Sequence, residues 1–202
     1  MKDIFVFITV SLIAVVVLGW IFIEPTYDDS ALVTAAVEEQ KTETVVGPSV
    51  IFTDLGVPTD IDTSFKTYMD WRTVTDKSSS QYKLVNTYGW HDDDGFMRVT
   101  SERDLGITQD YYMIALGSYY GTTIGTKYRI TTTEGNVFYG ILSDCKADKH
   151  TNSTHQYARN KDVVEFLVDT RYLNADVKHR GSADILKPLS GAIAKIERID
   201  IN

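Results

Sequence analysis

The chain has 202 residues, 43% hydrophobic and 11% aromatic, enough for one packed domain with appendages. Its net charge of −8 argues against a nucleic-acid partner, and its single cysteine, Cys145, rules out an intramolecular disulfide or a metal site built on paired cysteines. The charge is uneven: eight acids face one base between Glu24 and Asp60, whereas residues 61–202 carry 19 acids and 18 bases.

Ile4 to Ile23 reads I-F-V-F-I-T-V-S-L-I-A-V-V-V-L-G-W-I-F-I, with no charged residue. As a helix it spans roughly 30 Å at about 1.5 Å per residue, the thickness of a bilayer core. Trp20 and Phe22 suit the interfacial belt at its end. A cleaved signal peptide has a shorter apolar region and small residues at its cleavage site. Here E-P-T-Y-D-D follows, so the run predicts a single-pass anchor over residues 1–23. Lys2 and the terminal amine precede it, which points to a cytoplasmic N-terminus and an extracytoplasmic remainder in the cell membrane.

Residues 24–62 hold Pro25, Gly47, Pro48, Gly56 and Pro58 among acidic and Thr/Val-rich stretches, and read as a stalk, with Ala31–Gln40 as a short helix. The domain is expected over 63–202. Asp76–Ser80 reads as a turn and Tyr82–Val85 as a short strand. His91–Gly95 carries an Asp-Gly turn signal, and Phe96–Val99 is the returning strand. Tyr111–Leu116 is apolar and aromatic. Tyr128–Thr132 and Val137–Leu142 flank Glu134-Gly135-Asn136 and predict a hairpin. Asp162–Asp169 reads as a buried strand, Ser182–Leu189 as a helical turn, and Ala192–Ile199 as an alternating strand. Several short strands at close spacing predict a mainly β fold, a small barrel or sandwich.

The series Ala115-Leu116-Gly117-Ser118-Tyr119-Tyr120-Gly121, Ile124-Gly125-Thr126-Lys127-Tyr128-Arg129-Ile130, Gly135-Asn136-Val137-Phe138-Tyr139, Ser143-Asp144 and Val164-Glu165-Phe166 resembles a double-psi β-barrel. Over roughly residues 108–170 it is similar to the three-aspartate (Asp-Asp-Asp) domain and to the barrel of lytic murein transglycosylases. It also looks like membrane-anchored envelope proteins of Gram-positive bacteria and their mobile elements. The resemblance implies a six-stranded barrel, action on peptidoglycan, and Asp144 and Glu165 near one another at the barrel mouth. Two departures stand out. Asp144-Cys145-Lys146 replaces the family's D-T-G turn, and Glu165 replaces its closing aspartate.

The chemistry concentrates in L-S-D-C-K-A-D-K-H, residues 142–150. Glycan cleavage requires a carboxyl group able to give a proton to the leaving oxygen, and Asp144 with Glu165 could form that catalytic pair. The competing reading makes Asp144 a loop cap, with Glu165 satisfied by a base. Tyr119 and Tyr120 beside Gly121 offer rings to stack on a sugar, and Lys146, Asp148 and His150 complete a substrate-binding set. Asp144, Asp148, His150 and His155 match no metal motif, so neither metal nor cofactor is expected. The expected partners are the membrane, peptidoglycan and other envelope proteins. A non-catalytic module that binds wall material or a secretion, conjugation or phage component remains the alternative.

Overall fold

A computed structural model describes residues 49–91, 94–101 and 108–202. The expected anchor, the stalk up to residue 48 and its Ala31–Gln40 helix lie outside the described residues. Among the described residues no helix is long and apolar enough to cross a membrane.

The fold is mainly β. Among the described residues nine strands form one mixed sheet: β1 (Val50–Asp54), β2 (Tyr68–Asp70), β3 (Trp90–His91), β4 (Met97–Ser101), β5 (Gln109–Gly117), β6 (Lys127–Thr132), β7 (Val137–Lys146), β8 (Glu165–Val168) and β9 (Ile193–Ile201). Two α-helices accompany them among the described residues, α1 (Ser80–Thr87) and α2 (Ala175–Arg180). The main path runs β1-β9-β6-β7-β5-β4-β3. The expected hairpin is β6–β7, paired antiparallel with Arg129 opposite Tyr139. Gly135 turns it at φ 81°, a left-handed value that favours glycine. β7 then runs parallel to β5.

Four expectations are corrected. The sheet is open, where a closed six-stranded barrel was expected. Its path ends at β1 and β3, which do not pair, while β8 joins the β5 edge beyond β4 and carries β2 as a side branch. Tyr82–Val85 lies within α1: the Ser79 hydroxyl caps the helix by accepting from the Tyr82 N–H at 3.0 Å, and Leu84 and Val85 are buried. Residues 50–54, expected in the stalk, form β1 along the C-terminal half of β9, Val50 opposite Ile201 and Asp54 opposite Glu197. The strand expected over 162–169 is confined to Glu165–Val168, because residues 162–164 enter from the preceding loop.

Strand alternation divides the apolar residues between two faces. One face sends Leu116, Tyr128, Ile130, Phe138, Leu142 and Phe166 into a core closed by Leu173, Val177, Ala183 and Leu189 from the C-terminal segment. The other sends Tyr111, Met113, Ile141, Leu167 and Ile199 against Leu84 and Val85 of α1. On this second face the β5 side chains taper: Tyr111, Met113, Ala115, Gly117. Packing is tight where they are large; beside the small ones a space opens between the end of β7 and the 147–160 segment, whose His155 carbonyl closes over Gly117.

Candidate functional site

The space at the tapered end of β5 is a cleft of about 450 Å³, lined by Thr67, Met69, Thr73, Asp144, Cys145, Lys146, Ala147, His150, Ala158, Asn160, Asp162 and Glu165. Ala115 explains how Asp144 and Glu165 come to share it. In the parallel β5–β7 ladder Ala115 pairs with Asp144, and in the antiparallel β5–β8 ladder it pairs with Glu165. Directly paired residues face the same side of a sheet. Both carboxyl groups therefore stand on one face, with only a methyl group between them. At about 4.8 Å per strand, their α-carbons are two strand spacings, roughly 10 Å, apart.

A register shift between Ile114 and Ala115 sets this alignment. Ile114 pairs with Leu142, and Ala115 with Asp144, so Ser143 is the extra residue. The bulge re-aims the end of β7 so that Asp144 and Lys146 face the cleft. The opposite wall is the 147–160 segment. Its His155 carbonyl sits so close over Gly117 that a Cβ there would approach within 1.9 Å.

Lys146, Asp162 and Glu165 form the buried end of the cleft. The Lys146 ammonium lies 2.7 Å from Asp162 Oδ2 and 3.3 Å from Glu165 Oε2, with side-chain exposures of 4%, 1% and 26% respectively. Asp162 also accepts from the Thr67 hydroxyl through Oδ2 and from the Thr67 backbone N–H through Oδ1, the latter at 3.3 Å. Burial pushes the Glu165 carboxyl above the usual glutamate range. The Lys146 cation opposes this, while the negative charges of Asp162 and Asp144 add to it. Asp144 is half-buried and accepts from the Cys145 backbone N–H at 2.8 Å. Burial raises the Cys145 thiol, with Asp144 and Asp148 adding to the effect, so this cysteine is not poised as a thiolate.

The structure brings Asp144, Lys146, His150 and Glu165 into one cleft and leaves Tyr119, Tyr120 and Asp148 outside its lining. Tyr120 is 2% exposed and packed in the core, its ring edge-on to Tyr119 at 5.1 Å, so it offers no open face for a sugar. Tyr119 is exposed. Asp148 accepts from the Ser118 hydroxyl at 2.7 Å and lies 3.6 Å from His155 Nδ1, an arrangement that ties the loop to the end of β5. Lys146 is spent within the wall rather than offered to a ligand. Among the described residues no three His, Cys, Asp or Glu side chains gather to hold a metal ion. Asp162 and Thr67 were missed as site residues. The available signal was Asp162 itself, an acid opening the apolar run D-V-V-E-F-L-V, where burial demands a cation.

A second cleft of about 330 Å³ adjoins the first and shares Met69, Thr73 and Asp144 with it. Val74, Thr75, Asp76, Ser79 and Gln81 complete its lining. Asp144 thus stands where the two spaces meet, midway along one groove.

No family model matches the chain, and no curated protein or solved structure matches it.

Proposed function

We propose that this is a membrane-anchored, extracytoplasmic protein of the cell envelope whose groove cleaves peptidoglycan glycan strands by carboxyl acid/base chemistry. The observation that carries the reading is the placement of Asp144 and Glu165 on either side of Ala115, on one face of the sheet, in an open cleft. Such a pair divides the work when its two environments differ. Glu165, whose carboxyl burial pushes above the usual glutamate range, is the group placed to give a proton to the glycosidic oxygen. Asp144, at the middle of the groove, activates the attacking group. The two residues' α-carbons, two strands apart at roughly 10 Å, leave room for a water between the side chains, as water-mediated displacement requires. The hydroxyl and amide lining of the second cleft suits a hydroxylated chain running past Asp144. The uncharged run at Ile4–Ile23 supports the anchor. The parallel β5–β7 pairing next to the β6 hairpin is what supports kinship with double-psi barrels, here in an open form.

The second reading, a wall- or partner-binding module, is favoured by Lys146: its ammonium, 3.3 Å from Glu165, opposes protonation of the proposed acid. Full-length protein in detergent, applied to purified wall glycan, separates the two. Clearing that falls at least about 100-fold in Glu165→Gln, and comparably in Asp144→Asn, supports the enzyme. Retention on wall material without clearing supports the module.

A further inference from the structure

Lys146, Asp162 and Glu165 hold an amine, a carboxyl group and a second carboxyl group in hydrogen-bonded contact with almost no solvent around the first two. In water such a pair stays an ion pair. Joining such a pair as an amide requires the nitrogen to lose protons and one carboxyl oxygen to leave with them, and a site closed to bulk water favours loss of that water. We propose that Lys146 and Asp162 condense to an intramolecular isopeptide bond, with Glu165 as the proton shuttle.

The step balances without a co-reactant. Nζ begins with three protons. Glu165 accepts one of them and passes it to Asp162 Oδ2, Nζ attacks Asp162 Cγ, and the Cγ–Oδ2 bond breaks. One proton stays on the amide nitrogen, and two leave with Oδ2 as water. Nothing is oxidised or reduced. The parts needed are in place. Lys146 Nζ already touches Oδ2 at 2.7 Å. The Thr67 N–H points at Oδ1, the oxygen that carries the charge of the tetrahedral intermediate and remains as the amide carbonyl. The Thr67 hydroxyl contacts Oδ2, the departing oxygen. Glu165 reaches the same ammonium from the cleft side at 3.3 Å, and its partial exposure gives the released water a way out. Buried Val163 and Val164 follow Asp162 directly and help keep the site dry. The bond joins the end of β7 to the approach to β8, fixing the segment between them. It rests on this triad alone and is independent of the glycan reading. If both hold, the bond removes the cation that opposes protonation of Glu165.

Peptide mapping by tandem mass spectrometry of the full chain, extracted from membranes, decides the matter. The expected product is a branched peptide joining the segments around Lys146 and Asp162, lighter by one water than its two parts, with no tryptic cut after Lys146. Lys146→Arg and Glu165→Gln should each give only linear peptides. Linear peptides in the unaltered protein overturn the proposal, as does loss of water on a linear peptide, which marks an aspartyl succinimide instead. A branched peptide that persists in Glu165→Gln overturns the shuttle.

Discussion

Lys66 shows at the scale of one side chain what a buried charge does to this molecule. It is fully buried, its ammonium donating to the Ser64 carbonyl at 2.9 Å and the Gly191 carbonyl at 2.6 Å. Burial lowers it to about 8, against partial compensation from Asp184, Asp162, Asp62 and Glu134. The unfolded chain, with a lysine near 10.4, binds more protons than the folded one between those two values. Stability from this group therefore rises as pH increases from about 8 to about 10.4, and is lost as pH falls through about 8. Thermal melts across that range should show the rise, of about 3 kcal/mol, and Lys66→Met should flatten it. Residue-level chemistry was legible only in part. The crowding of Asp144, Lys146 and His150 on nine consecutive residues pointed to the cleft, and Glu165 inside an apolar run pointed to a charge needing a partner. Lys66 gave no such sign, since its partners are carbonyls more than a hundred residues away in the case of Gly191, and carbonyls leave no mark on the sequence.

Strands and helices were legible where one face is buried and the other is not. β6 alternates cleanly, and the Gly135 turn fixes the register of the hairpin it forms with β7. The four-residue run Tyr82–Val85 was too short to separate strand from helix by period, and the N-cap at Ser79 decided it. The parallel pairing of β5 with β7 was not legible, because alternation gives the face of a strand but not its neighbour. It is this pairing, with its bulge at Ser143, that puts Asp144 opposite Ala115. The element most sensitive to a small change is the tapered end of β5. A methyl group on Gly117 would meet the His155 carbonyl at 1.9 Å, backbone that cannot step aside cheaply. Gly117→Ala should therefore lift the 147–160 segment, cost about 1–3 kcal/mol and lower Tm by roughly 4–8 °C. Differential scanning calorimetry measures the loss. Proteolysis should speed up within that segment first.

At the scale of the whole molecule, the boundary of the folded body lies earlier than the composition of residues 24–62 suggests. β1 covers the outer edge of β9, pairing with it from Val50 to Asp54. An uncovered, long, alternating strand is a template for association with other chains. A fragment starting at Ser49 should be monomeric and melt cooperatively, whereas one starting at Thr63 should associate, as read by light scattering and thermal melts. The acidic, Pro- and Gly-bearing composition of 24–62 hid β1, because V-I-F-T-D is only five residues long and has no hairpin partner nearby in sequence. The antiparallel register has a mechanical side. Val50 sits opposite Ile201, so tension drawn between Ser49 and Asn202 loads the β1–β9 ladder one rung at a time, as a zip is opened, rather than all rungs together. Pulled from that end, the first strand peels away before the neighbouring strands that carry Asp144 and Glu165 feel the force.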